Sequence, residues 1–440
     1  MKFSELKLQK GLLNALGDLG FEMQTDIQER SFPVVMSGKD MLGVAQTGTG
    51  KTIAYLLPVL QQLNFSRERH PRVLILVPTR ELVEQVAEIA RQLSKYSSVR
   101  IFGVYGESNI NKQKQRIYEG LDILIATPGR LIDLMLSRSV LLNNVKKLVV
   151  DEVDEMFNLG FRPQLTRILD ALPARRQNIS FSATLSEESE KELLLHFRDP
   201  EYVETVSRGT ALANIQQSAI VFPNQNTRIN YLKHLLSSPE QKGRMLVFVR
   251  NKTVANHLET ELASFSEQIG FIHSNKSQSN RFQTLANFEK GEITMLVATD
   301  VIARGLDLKD LEMVINFDFP TDPNTYIHRI GRTGRARQMG RALSLLTQQD
   351  LTAVKAAEKL MKQKIRLEEL PPDVDVSNLL TEEEMPKTRI KKTARKLSTI
   401  SGGGAFHEKK AKNKKVQLGG KRRQESQRRA LALSRSKRKK

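Results

Sequence analysis

The sequence predicts an α/β protein with two domains, each built on a mostly parallel sheet that helices cover on both faces. Three observations support this prediction. The chain has 440 residues, which is too many for a single core of ordinary size. Short apolar segments alternate with amphipathic helical segments along most of its length. The apolar segments carry few polar residues, as expected for strands that are buried on both faces.

The apolar segments fall into two series of candidate strands. The first series is 41–44, 73–77, 101–105, 122–126, 147–150 and 179–182. The second series is 218–222, 245–249, 269–273, 294–298, 313–317 and 342–346. Helical patterns lie between them, for example at 81–93, 111–119, 253–265 and 280–289. The polar stretch 208–217 separates the series, so we expect an N-terminal segment over 1–30 and domains over 22–205 and 215–368.

The charge of the chain is concentrated at its C-terminus. Residues 386–440 hold 21 of the 69 basic residues and two of the 49 acidic ones, a net charge of +19. The other 385 residues carry +1. An acidic linker over 369–385 precedes this tail. We expect the tail to be disordered and to bind a polyanion, nucleic acid first of all. The alternative is a solubilising or targeting tail.

The composition also indicates the cellular compartment in which we expect the protein. The chain has no cysteine, which excludes disulfides and thiol catalysis and fits a reducing environment. No run of 18 apolar residues and no secretory leader pattern occurs. We therefore expect a soluble, cytoplasmic protein without a membrane partner.

The most informative segment is Ala45-Gln46-Thr47-Gly48-Thr49-Gly50-Lys51-Thr52. It joins an apolar strand to a helical pattern. A glycine-rich turn at this place points backbone N–H groups at a phosphate, and the helix N-terminus adds a favourable dipole. Lys51 can then reach the outer phosphates, while the Thr52 hydroxyl can ligate Mg²⁺. The alternative is a tight strand-to-helix turn that binds nothing.

A second set of polar residues follows other strands. Asp151 and Glu152 come directly after strand 147–150, as in nucleotide hydrolases where the first carboxylate holds Mg²⁺ and the second activates water. Without the loop at Lys51, a plain charged turn would explain them equally well. Ser182 ends the strand 179–182 and Thr184 follows it, and both hydroxyls can hydrogen-bond the loop 151–154. Without the other motifs, ordinary strand capping would be the preferred explanation.

In the second half, Arg332 and Arg335 lie three residues apart and face the same side of a turn or helix. Arginine supplied from outside the phosphate-binding domain can stabilise transition-state charge, and it makes hydrolysis depend on domain closure. For this spacing alone, a solvent-facing helix surface is the ordinary explanation.

Together these segments resemble the DEAD-box family of ATP-dependent RNA helicases, over about residues 1–370 and in motif order. The compact, D-E-V-D form is similar to bacterial members. The matching motifs are 20–28 (the Q motif), 45–52 (Walker A), 78–82, 127–130, 151–154, 182–184, 278–281, 300–307 and 328–335. The resemblance implies two RecA-like domains and an ATP hydrolase that unwinds or remodels short RNA duplexes or RNA–protein complexes.

The resemblance also assigns roles to residues. Lys51, Glu152, Arg332 and Arg335 would be catalytic. The ATP-binding set would be Phe21, Gln28, Ala45, Gln46, Thr47, Gly48, Thr49, Gly50, Lys51, Thr52 and Asp307. Thr52 and Asp151 would hold Mg²⁺, partly through water. Asp154, Ser182, Thr184 and His328 would couple the domains. Thr79, Arg80, Gly129, Arg130, Thr299 and Arg304 would bind the RNA backbone without sequence preference.

The chain departs from the family pattern at three positions. Gln24 replaces a proline ahead of Thr25, which should loosen that turn. Val153 replaces alanine between charged groups that are all retained. Glu107 stands in a glycine-glycine element beside the RNA path, where its carboxylate would weaken phosphate binding.

None of these changes removes a catalytic group, so we expect an active enzyme. Ribosomal precursors or the RNA-degradation machinery are the partners we expect. A non-hydrolysing RNA clamp or chaperone is the main alternative, and a DNA translocase of the same superfamily is the second.

Overall fold

The computed structural model describes residues 1–45, 48–183, 187–205, 214–238, 243–300, 308, 311–334, 339–381 and 384. All structural statements below concern these residues. The basic tail 386–440 lies outside them, and so do six of the predicted site residues: Gln46, Thr47, Thr184, Arg304, Asp307 and Arg335.

The first domain alternates strands and helices. Its strands are β1 Met41–Val44, β2 Val73–Leu76, β3 Ile101–Val104, β4 Ile123–Ala126, β5 Lys147–Asp151, β6 Gln177–Ser182 and β7 Glu201–Glu204. Its helices are α1 Lys10–Asp18, α2 Asp26–Ser37, α3 Lys51–Gln61, α4 Arg80–Leu93, α5 Ile110–Tyr118, α6 Pro128–Leu136, α7 Val153–Asn158, α8 Arg162–Ala171 and α9 Glu187–Leu194. The strands form one parallel sheet in the order β3-β4-β2-β5-β6-β1-β7.

Both faces of this sheet are buried. Along β2, Val73 and Ile75 belong to one apolar cluster, while Leu74 and Leu76 belong to the cluster on the other face. Successive side chains of a strand point to opposite faces, so an apolar residue is required at every position. The prediction of a helix-covered parallel sheet is therefore confirmed.

The second domain repeats the plan. Its strands are β8 Ile215–Val221, β9 Arg244–Val249, β10 Ile269–Ile272, β11 Met295–Thr299, β12 Leu311–Asn316, β13 Gly340–Leu346 and β14 Arg366–Glu368. Its helices are α10 Gln225–Ser237, α11 Lys252–Glu261, α12 Gln278–Glu289, α13 Pro323–Ile330 and α14 Leu351–Met361. The order β10-β11-β9-β12-β13-β8-β14 places each strand where its counterpart lies in the first sheet, and every pairing is again parallel.

Helix starts follow capping rules at the carboxyl edge of each sheet. Thr79 accepts a hydrogen bond from Leu82 N–H at the start of α4, and Asn224 accepts one from Thr227 N–H at the start of α10. Such caps satisfy the first N–H groups of a helix. The cap at Thr79 also fixes the strand-to-helix loop that carries two of the predicted RNA-binding residues, Thr79 and Arg80.

Segment 369–381 runs along the second domain. Asn230 Nδ2 donates to the carbonyl of Asp375 at 2.8 Å, and Asn226 Nδ2 donates to that of Leu379 at 2.8 Å. Val374 is buried in the second core. The described part of the predicted acidic linker, 369–381, thus lies along α10. Among the described residues, no helix combines the length and the apolar character that a membrane span requires.

Candidate active site

The predicted phosphate loop connects β1 to α3. Gly48 has φ +80° and Gly50 has φ +88°, which is the left-handed region that glycine adopts without steric cost. A Cβ at Gly50 would also lie 2.3 Å from Nε2 of Gln28. The loop therefore needs glycine at this position, and α3 begins directly after it with Lys51.

Lys51 is held in a buried ion pair. Its Nζ lies 2.7 Å from Oε1 of Glu152, and both side chains are at most 10% exposed. Burial alone would lower the pKa of Lys51, but the charges of Glu152 and Asp151 outweigh it and raise that pKa. Lys51 is therefore a cation at neutral pH, and it already touches the carboxylate that sequence predicts as the base.

Glu152 has an unusual backbone conformation for a residue with a side chain. Its φ is +51°, and it is the residue before α7. Left-handed conformations of non-glycine residues cost free energy and cluster at functional sites. This conformation follows β5 immediately and presents Glu152 toward Lys51.

The carboxylate of Asp151 is held from two sides. Its Oδ1 accepts the N–H of Glu152 at 2.9 Å, and its Oδ2 accepts the hydroxyl of Tyr55 at 2.9 Å. Burial raises the pKa of Asp151 to about 6, while Lys51 opposes that rise. Tyr55 is fully buried on α3 beside Phe181, with ring centroids 5.7 Å apart.

The N-terminal segment reaches the phosphate loop through Gln28. Its Oε1 accepts the N–H of Thr25 at 2.9 Å, and its Nε2 donates to the carbonyl of Gly50 at 3.1 Å. The hydroxyl of Thr25 donates to the carbonyl of Thr49 at 2.7 Å. Phe21 lies nearby in sequence and is 39% exposed, so its ring is open to a ligand. This segment is therefore hydrogen-bonded to two carbonyls of the phosphate loop.

Gln24 makes a backbone contact that a proline at this position would lack. The Gln24 N–H donates to the carbonyl of Met1 at 3.0 Å, and Lys2 pairs with Met23 as an antiparallel bridge. A proline at position 24 has no N–H to donate. The substitution thus ties the chain start to the Q-motif segment.

The central strands bring these residues together. β5, β6 and β1 are neighbours, so their carboxyl ends place Asp151, Ser182 and Ala45 side by side. Ala45 N–H donates to the carbonyl of Ser182 at 3.0 Å. Residues at the carboxyl edge of an open parallel sheet are where ligands bind.

The two domains meet at this edge. His328 Nε2 lies 3.7 Å from Oδ2 of Asp154, and both side chains are 8% exposed. Arg332 is buried, and its Nε donates to the carbonyl of His328 at 3.3 Å. The predicted coupling residues Asp154 and His328 therefore face each other across the domain boundary.

The predicted RNA residues of the first domain differ in how accessible they are. Arg80 is partly exposed and follows the cap residue Thr79. Gly129 lies in the first turn of α6 and has open space where a Cβ would be. Arg130 is 9% exposed and donates to Oε1 of Gln113 at 2.7 Å and to the carbonyl of Ser108 at 3.2 Å. Arg130 therefore supports the loop before α5, and its RNA contact stays a prediction.

In the second domain, Thr299 ends β11 and is partly exposed, as an RNA contact requires. Asp300 follows it and forms a bidentate pair with Arg329, at 2.6 and 2.7 Å. Arg329 also donates to Oδ1 of Asn316 at 3.1 Å and lies over the ring of Phe248. Arg329 thus joins β9, β11 and β12, a structural role that sequence did not assign.

The donor set fits Mg²⁺. Asp151 contributes a buried carboxylate beside the phosphate loop, and Thr52 follows Lys51 in the first turn of α3. Mg²⁺ prefers oxygen ligands, and it usually binds only a few protein groups together with water and substrate phosphates. No cluster of three acidic, histidine or cysteine side chains that could hold a metal alone occurs in the described ranges.

Comparisons with known proteins decide the family. A profile described as DEAD/DEAH box helicase matches residues 25–193, and one described as Helicase conserved C-terminal domain matches 227–337. The chain is 34% identical over 375 residues to the ATP-dependent RNA helicase DbpA of Bacillus subtilis, covering 85% of this chain and 78% of DbpA. The chain belongs to the DEAD-box helicase family.

Two further DEAD-box proteins extend the likeness. The RNA helicase CrhR of Synechocystis is 38% identical over 370 residues, covering 84% of this chain and 74% of CrhR. The structure of S. cerevisiae Dbp5 bound to RNA and ADP BeF3 superposes with a TM-score of 0.76 at 29% identity, covering 84% of this chain and 96% of that one. The prediction of two RecA-like domains is thereby confirmed.

This DEAD-box chain also contains site residues that sequence missed. Tyr55 gave no signal because it lies in an apolar helix pattern. Glu81, on α4, pairs with Arg281, on α12, so it joins the two domains. The Q-x-x-R spacing pointed to Arg281 and Gln278, but nothing in the sequence indicated that their partner was Glu81.

Proposed function

We propose that this protein is an ATP-dependent RNA helicase that binds RNA across both RecA-like domains and remodels short duplexes locally. The observation that carries the proposal is the buried Lys51–Glu152 pair beside Asp151, at the edge where Asp154 meets His328 of the other domain. A binding clamp would have no use for a base and a phosphate-binding cation that are both intact.

ATP binding changes the partner of Lys51. The phosphates take Lys51 and the loop N–H groups, which frees the Glu152 carboxylate to accept a proton from the attacking water. Thr52 and Asp151 would hold Mg²⁺, which adds positive charge at the phosphates. Phe21 and Gln28 bind the adenine. Arg332, with Arg335, stabilises charge on the transferred phosphoryl group once the domains close.

RNA binding and hydrolysis are coupled because they use the same boundary. Asp154 and His328 meet there, and Arg80 of the first domain donates to Oε1 of Gln278 of the second at 3.2 Å. RNA lying on Thr79, Arg80 and Thr299 therefore touches both domains. A strand held by both domains favours the closed form in which hydrolysis occurs.

The test is steady-state ATP hydrolysis with and without single-stranded RNA. We expect RNA to stimulate the wild type, and Glu152→Gln to lower the rate by about 10²-fold or more because the proton acceptor is lost. Glu201→Gln changes an exposed carboxylate that pairs with Lys39 and serves as the matched control. Tight RNA binding without hydrolysis in the wild type would instead establish the clamp.

We propose that the tail 386–440 raises RNA affinity without sequence preference. Its +19 charge supports this, since releasing counterions from only about six phosphates makes affinity fall by roughly 10³-fold between 50 and 200 mM salt. Deleting the tail should flatten the dependence of RNA affinity on salt while hydrolysis at saturating RNA is retained. An unchanged slope would exclude this role.

Ribosomal precursors or the RNA-degradation machinery, in the cytoplasm, remain our proposal for the physiological setting. The lack of cysteine and the sequence-independent tail support it. RNA crosslinking in cells followed by sequencing would identify the bound RNA class.

A further inference from the structure

The loop between β3 and α5 carries an acidic residue with a defined partner. Glu107 forms an ion pair with Arg80, the first residue of α4. The Arg80 side chain is 21% exposed, while that of Glu107 is 68% exposed. The pair lowers the pKa of Glu107, through the hydrogen bond from Arg80 first, so the carboxylate is charged at neutral pH.

The backbone holds Glu107 in place. Its φ of +59° is in the left-handed region, where a non-glycine residue is strained. The neighbouring residues are fixed by side chains of α5 and α6. Gln113 Nε2 donates to Oγ of Ser108 at 2.6 Å and to the carbonyl of Tyr105 at 3.2 Å. Arg130 donates to the carbonyl of Ser108. The carboxylate is thus presented to Arg80 by a supported loop.

The pair belongs to a cluster of four charges at the domain boundary. Arg281 of α12 pairs with Glu81, which is adjacent to Arg80. Gln278 connects Arg80 and Glu81, since its Oε1 accepts from Arg80 at 3.2 Å and its Nε2 donates to Glu81 at 3.3 Å. Two arginines are thus balanced by two carboxylates. Without Glu107, the cluster would carry one positive charge that a phosphate could neutralise.

We propose that Glu107 occupies the place of an RNA phosphate on Arg80, and that RNA binds by displacing it. The carboxylate and a phosphate oxygen make the same kind of charge-assisted hydrogen bond to a guanidinium. Only one of them can use the same N–H group. This inference rests on the proposed function, because it requires RNA to reach Arg80. Glu107 is a residue that sets RNA affinity and the concentration of RNA needed for stimulation.

Displacement of Glu107 should change how RNA affinity depends on the salt concentration. When RNA displaces Glu107, a phosphate loses its condensed counterion, while the released carboxylate is newly screened by cations. This partly offsets the ion release at the contact. With Glu107→Gln the offset is lost, and the slope of log affinity against log salt should steepen by up to about 0.7 for single-stranded RNA. A purely structural role of Glu107 would leave the slope unchanged.

The experiment measures binding of a fluorescent single-stranded RNA to the full-length protein by anisotropy at several salt concentrations, with a non-hydrolysable ATP analogue. We expect Glu107→Gln to tighten binding by about 3- to 10-fold at low salt, as for loss of one opposing charge contact. Glu107→Gly should do the same and also relieve the left-handed strain. Glu119→Gln, an exposed carboxylate paired with Arg116, is the matched control and should change nothing.

A double-mutant cycle with Arg80→Gln separates displacement from simple repulsion. Displacement predicts that Glu107→Gln helps binding more when Arg80 is present than when it is replaced. Equal gains in both backgrounds, or an unchanged affinity and slope for Glu107→Gln, would overturn the proposal. If Arg80→Gln weakens RNA binding in that case, the proposed function stands and only the role of Glu107 is wrong. A wild type that binds no RNA would instead overturn the proposed function.

Discussion

The two domains have the same strand order, but the equivalent place in each sheet is used differently. In the first domain, Lys51 at the start of α3 pairs with Glu152 after β5, at 2.7 Å. In the second, Arg228 in the first turn of α10 pairs with Asp318 after β12, at 3.6 Å. Both pairs are buried, and each joins the helix that follows the domain's first strand to the central strand.

The two cations differ in how available they are to bind a ligand. Arg228 donates to the carbonyl of Phe317 at 2.6 Å, and its guanidinium lies 4.6 Å from the centroid of that ring. Lys51 instead follows a loop in which Gly48 and Gly50 have left-handed backbones, so N–H groups can point at a phosphate. The fold thus places a buried cation at the same position in both domains. The loop before the helix decides whether that cation can bind a phosphate or only stabilises the domain.

Replacing Lys51, the cation that can bind a phosphate, should change hydrolysis more than any other substitution below. Lys51→Ala should lower ATP hydrolysis by about 10²-fold or more, because the phosphates lose their positively charged partner. Arg228→Ala should leave hydrolysis at saturating ATP and RNA nearly unchanged wherever the domain remains folded. Steady-state hydrolysis with circular dichroism of both variants checks this. Equal losses of hydrolysis in two folded variants would contradict the distinction.

The second prediction concerns the structural cation. Arg228→Met should lower the free energy of unfolding of the second domain by about 3–5 kcal/mol, because the buried carboxylate of Asp318 loses the cation it pairs with. Urea denaturation measures the change. Arg341→Met is the control, since Arg341 pairs with Glu312 at 3.8 Å on an exposed surface. That pair should contribute less than about 1 kcal/mol.

The central strands of the two domains begin with residues of different polarity. β5 begins with Lys147, whereas β12 begins with the apolar Leu311. Burial lowers the pKa of Lys147 from 10.5 to about 8. Between those pH values the unfolded chain binds the proton more tightly, so the free energy of unfolding should rise with pH, by at most about 3 kcal/mol.

Lys147→Met should remove this dependence. The measurement is urea denaturation of the wild type and Lys147→Met at several pH values from 7.5 to about 10.5, since the difference between the two cancels groups that both share. A difference that stays constant over this range would show that Lys147 is solvated like a surface lysine.

The sequence predicted the central strands of both sheets because those strands are apolar at nearly every position. It missed β7 and β14, the edge strands next to β1 and β8. Only one residue of β7 is buried, Val203, and none of β14 is. An edge strand can have polar side chains, so its pairing is set by its neighbour and leaves no apolar pattern.

The residues of the candidate site also differ in how far the sequence could predict them. The phosphate loop is one continuous segment, so spacing alone predicted Gly50, Lys51 and Thr52. The pairs Arg329–Asp300 and Arg80–Glu107 join residues 29 and 27 positions apart and have no periodic signal. Their partners depend on how strands and helices are placed in three dimensions. Arg130 shows that a residue in a recognised motif can also support a neighbouring loop, a contact that the motif did not indicate.

Asp151 and Asp318, the carboxylates that follow the two central strands, accept hydrogen bonds from different kinds of donor. Removing the donor to Asp151 should have the weakest effect of the substitutions considered. Asp318 Oδ2 accepts the backbone N–H of Arg250 at 2.9 Å, whereas Asp151 Oδ2 accepts the side chain of Tyr55. Burial raises the pKa of Tyr55 well above 10, so the hydroxyl remains a donor. Tyr55→Phe should lower the free energy of unfolding by about 1–2 kcal/mol, since a buried acceptor loses its partner while ring packing is kept.

Tyr202→Phe is the matched control for this change. Its hydroxyl donates to Oε1 of Glu190 at 2.6 Å, but the residue is 52% exposed and water can replace the bond. Urea denaturation of both variants gives the two free-energy changes. Equal changes would mean that Asp151 is as well solvated as a surface carboxylate. A larger loss for Tyr55→Phe would show that a buried side-chain donor stabilises the carboxylate at the end of the first domain's central strand.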